Sequence, residues 1–277
     1  MQNFKFVWLS LTVFILGCST MPAFMDRSTL ADHIAAKAGF SKEYIKAGDF
    51  SLMTFQRFKG NDDRIRIYIE GDGRAWETKY QISVDPTPSN PVALRLAAED
   101  PAQNTAYIAR PGQYSISGFS ECNSKYWSEA KYAPEVINSF NRAIDRLKEK
   151  SLAHHVDLVG FSGGAAIVIL VAANRRDVSS IRTVAGNLNP TALCQYHQVS
   201  PLEGSMDPMK AAFQMAPIAQ RHFCGSKDLI VPEFIAQSFV YQEGDRNFGR
   251  ITIVQGVTHT HGWQSRWKYL LSLTPGR

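Results

Sequence analysis

Cysteine is scarce in this chain, with four in 277 residues. Cys122, Cys194 and Cys224 lie far apart, which argues against a cysteine metal cluster. Beyond the first residues, no run is apolar enough to cross a bilayer as a helix, which takes about 20 residues. Charge of one sign is nowhere concentrated: 30 Lys and Arg against 25 Asp and Glu give a net charge of +5, scattered along the chain. That excludes the dense basic patch of a nucleic-acid-binding protein. It leaves only a weak, non-specific attraction to anionic membrane surfaces. No internal repeat or low-complexity tract interrupts the sequence. What remains is ordinary globular composition, 44% hydrophobic and 20% charged, long enough for one domain with a large buried core.

The most informative stretch is Val156 to Gly164, where an apolar run ends in Gly160-Phe161-Ser162-Gly163-Gly164. A second apolar run, Ala165 to Ala173, follows at once and reads as a helix. Strand, tight turn and helix form the context of a G-x-S-x-G nucleophile elbow. Side chains at Gly160 and Gly164 would collide with neighbouring backbone in so sharp a turn, and glycine removes the clash. Ser162 is thereby expected at the head of a helix, where N–H groups favour developing negative charge.

An elbow serine needs a base, and the base needs an orienting acid. The stretch Arg221 to Ser226 reads as a short buried strand running into Lys227-Asp228-Leu229-Ile230-Val231-Pro232. Ile251 to Gln255 alternates and is β-branched, a strand. It ends in Gly256-Val257-Thr258-His259-Thr260-His261. Ser162, Asp228 and His259 thus follow three strand ends, where active sites of open α/β sheets gather. His261 competes with His259 for the role of base, and His259 is preferred. The remaining histidines, His222 among them, read as surface or structural.

These motifs, Gly-Phe-Ser-Gly-Gly, Gly-Ser-Lys-Asp-Leu-Ile-Val-Pro and Gly-Val-Thr-His, resemble an α/β-hydrolase-fold serine hydrolase of the esterase and lipase type. The likeness runs from about Phe50 to the end. It includes poorly characterised bacterial lipoproteins of that fold, which resemble this chain also at residues 68–76 and 109–113. The resemblance implies a mostly parallel central sheet flanked by helices. It implies an oxyanion hole built from the N–H of Gly163 and from the loop Glu70-Gly71-Asp72-Gly73, with Asp72 or Gly73 as second donor. That loop stands where the family carries a His-Gly motif. The resemblance also implies a lid after the sixth strand, here residues 187–217, whose Met and aromatic side chains either line an acyl pocket or cover the core edge. Arg110 and Gln113, after the fourth strand, are candidates to contact substrate or to hold loops.

The N-terminus indicates export. One positive residue, Lys5, precedes an apolar stretch from Phe6 to Gly17, the length of a signal-peptide core. It ends in Ile15-Leu16-Gly17-Cys18, which resembles a bacterial lipobox. The expectation is a signal peptide over 1–17, lipid on Cys18, and a tether with a helical lead-in over 18–48. The hydrolase domain is expected over 49–277. By resemblance to lipoprotein sorting, Ser19 after the cysteine favours the outer membrane. Cys122 and Cys194 both fall in loops of an exported chain and could pair.

Coarse periodicity gives a helix over 26–46, a strand pair from Phe50 to Phe58 and Arg64 to Ile69, and a helix over 91–98. A strand over 105–109 and a charged-face helix over 133–150 follow. The strand at 181–185 and helices at 232–241 and 263–273 complete a βα alternation. The functional expectation is ester cleavage through an acyl-enzyme, with amide cleavage or a non-catalytic envelope binding protein as alternatives. No metal, cofactor, nucleic acid or obligate protein partner is expected.

Overall fold

The computed structural model describes residues 26–60, 62–115, 122–215, 217–242, 244 and 250–276. The expected signal peptide over 1–17 and the lipid site Cys18 lie outside the described residues.

The first helix, α1 (Arg27–Lys37), starts because the Asp26 carboxylate accepts the N–H groups of Ser28 and Thr29, both at 3.0 Å. It stops at Gly39, which has φ +75°. The helix expected over 26–46 therefore covers only half that span. The rest is an edge strand, β1 (Ser41–Ala47), so the sheet begins inside the expected lead-in. The other strands are β2 (Phe50–Phe58), β3 (Arg64–Ile69), β4 (Trp76–Thr78), β5 (Gln81–Ile82), β6 (Asn104–Ile108), β7 (His155–Phe161), β8 (Val178–Val184), β9 (Ala219–Gly225) and β10 (Ile251–Val254).

The central sheet has the order β1-β2-β6-β3-β7-β8-β9-β10. Only β2 runs against its neighbours, and every pair from β6 to β10 is parallel. The strand pair expected from β2 and β3 is not formed. β6 lies between them, because a parallel sheet needs a crossover and sequence neighbours need not be spatial neighbours. The short strands β4 and β5 make a separate hairpin.

The remaining helices are α2 (Val92–Glu99), α3 (Pro134–Ser151), α4 (Gly163–Ala172), α5 (Pro190–His197), α6 (Ala212–Met215), α7 (Glu233–Gln242) and α8 (Trp267–Ser272). Alternation along β3 sends Ile65, Ile67 and Ile69 to one core, shared with α3, α4 and α7, and Tyr68 to the other, shared with α1, α2 and α8. Val136, Phe140, Ile144 and Leu147 form the buried stripe of α3. Burying each such side chain stabilises the fold by about 1.5–3 kcal/mol. Every residue of α4 is buried, so the helix that follows Ser162 is fixed on all sides. Among the described residues no helix is long and apolar enough to cross a membrane.

In the segment expected as a lid, 187–217, α5 and α6 flank a 3-10 turn. Leu193, Leu202, Met206 and Met209 pack against the main core, while Tyr196 stands exposed.

Candidate active site

β7 delivers the chain to Ser162 and α4 carries it away. Ser162 has φ +50° and ψ −117°, a conformation that a residue with a side chain adopts only where its surroundings enforce it. Three main-chain bonds do so. Ser162 N donates to Val184 O at 2.9 Å, and Ser162 O accepts from Ala165 N and Asn187 N, both at 3.0 Å. The flanking glycines are forced by space. A methyl group on Gly160 would lie 2.5 Å from Gly164 O, and one on Gly164 would lie 2.4 Å from Ile69 O. Either would displace the main chain of the turn or of β3.

The structure brings Ser162, His259 and Asp228 together from three loops at the carboxyl end of the sheet. His259 Nε2 is 3.1 Å from Ser162 Oγ, and His259 Nδ1 is 2.9 Å from Asp228 Oδ2. The other carboxylate oxygen, Asp228 Oδ1, accepts the N–H groups of Ile230 and Val231, both at 2.9 Å. Asp228 is buried. The main chain at His259 is held as well, since Trp263 Nε1 donates to His259 O at 2.9 Å and Trp263 is itself buried. The Phe161 ring lies 5.2 Å from the imidazole.

Beside the serine, the loop after β3 supplies candidate oxyanion donors. Gly71 N donates to Glu70 Oε1 at 2.9 Å and Arg74 N to Pro86 O at 3.0 Å, which leaves Asp72 and Gly73 between them. Gly163 opens α4, and the first N–H groups of a helix have no intrahelical acceptor. The Asp72 side chain lies against Gly163: a methyl group there would be 1.9 Å from Asp72 Oδ1 and 2.9 Å from Arg110 Nη1. Two cations clamp Asp72, Arg110 Nη1 at 2.8 Å and Lys131 Nζ at 2.6 Å. Burial would push the Asp72 carboxyl up, but Lys131 and Arg110 outweigh it and hold it below the usual carboxylate range. Tyr132 completes the cluster, with its ring centroid 5.5 Å from both the Arg110 guanidinium and the Lys131 ammonium.

Arg110 is buried, and it is committed to Asp72 and to Lys131 O at 2.9 Å. Gln113 is likewise a loop brace, accepting Arg110 N and donating to Gly71 O, both at 3.0 Å. His261 is not joined to the serine. It is exposed, bonds to Thr260 Oγ1 at 2.9 Å, and lines a separate cavity of about 340 Å³ with Asn90, Arg95 and Trp263. Lys131 is the site residue that sequence reading missed; it lies 59 positions from Asp72, with no motif around it. His222 is buried beside Thr183 Oγ1 at 2.9 Å, and burial lowers its imidazole to about 3. Cys122, Cys194 and Cys224 are free thiols, so the pairing of Cys122 with Cys194 is not formed.

At the start of the loop after β3, Glu70 is buried and burial raises its carboxyl from 4.5 to about 7. Among the described residues its Oε2 has no hydrogen-bond partner of good geometry. An unfolded glutamate ionises at its ordinary value, so between 4.5 and about 7 the folded state holds the extra proton. Stability is therefore fully present below that window and falls as pH rises through it. Glu70→Gln should lose this slope, its stability relative to wild type rising between about pH 5 and pH 8 in urea titrations. Parallel curves for the two proteins would contradict the assignment.

No family model matches the chain, and no curated protein matches it in sequence. Solved structures do. An α/β serine hydrolase homologue from Coxiella burnetii, 16% identical, superposes with a TM-score of 0.56 over 83% of this chain and 93% of its own. A lipase candidate from Acinetobacter baumannii AYE, 13% identical, gives a TM-score of 0.63 over 92% and 96% of the two chains. The acylaminoacyl peptidase of Pyrococcus horikoshii, 12% identical, gives 0.59 over 84% of this chain but 41% of that longer protein. Strand order, the antiparallel β2, the elbow geometry and these superpositions agree: the chain has the α/β-hydrolase fold.

Proposed function

We propose that the chain is a serine hydrolase that cleaves carboxylic esters and is held by lipid on Cys18 in a bacterial envelope, facing the periplasm from the outer membrane. One observation carries the hydrolase reading: the unbroken path from Ser162 Oγ through the His259 ring to the buried Asp228, at 3.1 and 2.9 Å.

Ser162 Oγ attacks the ester carbonyl and His259 Nε2 takes its proton. The imidazolium that forms keeps its Nδ1–H on Asp228 Oδ2, where the negative charge stabilises it. The N–H groups of Gly163 and Asp72 receive the oxyanion. Losing one such donor in related chemistry costs about 10²–10³ in turnover. The clamp of Arg110 and Lys131 on the Asp72 side chain holds that donor before substrate arrives, so no reorganisation accompanies the reaction. His259 then protonates the leaving alcohol, and water, deprotonated by the same histidine, releases the acyl group.

Turnover of p-nitrophenyl esters of increasing acyl length, beside matching p-nitroanilides, tests the reading. Esters should be cleaved faster than anilides, and Ser162→Ala should cleave neither. Faster anilide cleavage would assign the chain to amide hydrolysis; no turnover of either by folded protein would favour a binding role.

A further inference from the structure

The hairpin of β4 and β5 grows from the rim of the candidate site. Its two ends meet where Arg74 N donates to Pro86 O at 3.0 Å, and a methyl group on Gly73 would lie 2.1 Å from that same oxygen. The hairpin is braced on its inner side, Ser83 N donating to Ala75 O within it and the buried Trp127 Nε1 donating to Ser83 O from outside it, both at 3.0 Å. Ile82 is half-buried, but three large apolar side chains of the hairpin face solvent: Trp76 is 47% exposed, Tyr80 86% and Val84 94%. Lys79 stands exposed among them, and the other two charges of the hairpin, Arg74 and Glu77, pair with each other. Tryptophan and tyrosine beside a cation suit the boundary between hydrocarbon and anionic headgroups, where an aromatic body and a polar tip are both satisfied.

The start of α1 also meets the hairpin's end. Arg27, the first residue of α1, donates to Thr87 O at 2.6 Å and pairs with Asp85 Oδ2 at 2.6 Å, directly after Val84. Asp26 follows Cys18 by eight positions, which an extended chain spans in at most about 28 Å. An anchor on Cys18 therefore keeps the bilayer within reach of the hairpin and of the oxyanion loop behind it.

We propose that residues 74–84 are a membrane-docking hairpin that lays the rim of the active site on a phospholipid surface. The proposal deepens the envelope reading and rests on the lipid anchor at Cys18. Its consequence is that substrate reaches Ser162 from the bilayer surface, as an ester held there.

Tryptophan quenching tests it. The chain from Ser19 keeps every residue of both cores, and it lacks Trp8. A hexahistidine segment ahead of Ser19 holds it on vesicles of phosphatidylethanolamine, phosphatidylglycerol and a nickel-chelating lipid, some with brominated acyl chains. Trp127, Trp263 and Trp267 are buried, so contact quenching by bromine reads Trp76. The wild type should be quenched and Trp76→Phe should not. Tyr80→Ser combined with Val84→Ser should weaken the quenching by about twofold or more while vesicle binding persists. Wild type that is bound but unquenched overturns the proposal. So does self-association in solution that Tyr80→Ser abolishes without any quenching, which would assign the hairpin to a protein interface. Nickel lipid supplies the anchor and no hydrolysis is read. Failure of the lipid reading would show separately, as an absence of lipid on Cys18 of the full chain, and failure of the hydrolase reading as an absence of turnover.

Discussion

His259→Ala should lower kcat by about 10⁵–10⁶, whereas His261→Ala should change it by less than about tenfold. Members of a triad act as a unit, so removing the base leaves only binding and the oxyanion donors. The two histidines stand two residues apart in one loop, yet their surroundings differ. His259 bridges Ser162 and Asp228, and its carbonyl is fixed by Trp263. The His261 ring bonds to the neighbouring Thr260 hydroxyl and is exposed. Steady-state kinetics on a p-nitrophenyl ester separates the two variants. The reverse ranking would move the base to His261 and leave the bridge seen here without a catalytic role.

Asp228→Asn should cost about 10⁴ in kcat with little loss of stability. The reason lies in which oxygen is already committed. Asp228 Oδ1 accepts two backbone N–H groups, those of Ile230 and Val231 at 2.9 Å. An asparagine must keep its oxygen there, or leave both donors buried and unpaired. Its amide nitrogen then faces His259 Nδ1 and can only donate. That forces the proton onto Nε2, where it cannot receive one from Ser162. Kinetics combined with ¹⁵N spectra of the imidazole would show both the loss and the exchanged tautomer. A fall of less than about tenfold would mean that the carboxylate does not set the tautomer.

Much of this arrangement is written locally in the sequence. The elbow is legible because a turn this sharp demands glycine at 160 and 164, and because β7 and α4 are uniform apolar runs. Asp228 and His259 are legible because each follows a strand whose composition is β-branched or buried. Other features depend on distant partners. β1 reads Ser-Lys-Glu-Tyr-Ile-Lys-Ala, with the charged residues a helix favours, and it is a strand because it pairs along β2 and carries its charges on an open edge. The insertion of β6 between β2 and β3 is a property of the crossover, which no segment encodes alone. Lys131 carries no motif, and only folding brings it to Asp72. Arg110 and Gln113 are visible as candidates near the site, but their work as braces follows from partners 38 and 42 positions away. The β4–β5 hairpin is too short for periodicity to reveal.

The central claim is that Ser162 is an activated nucleophile. A hydroxyl without a neighbouring base reacts poorly with a fluorophosphonate probe, whereas one hydrogen-bonded to a positioned imidazole reacts readily. The chain from Ser19 onward should label stoichiometrically, with the adduct on Ser162 by peptide mass. Ser162→Ala should abolish labelling and leave the thermal midpoint nearly unchanged, since it removes one hydroxyl and no packing group. A folded wild-type protein that never labels would contradict the account.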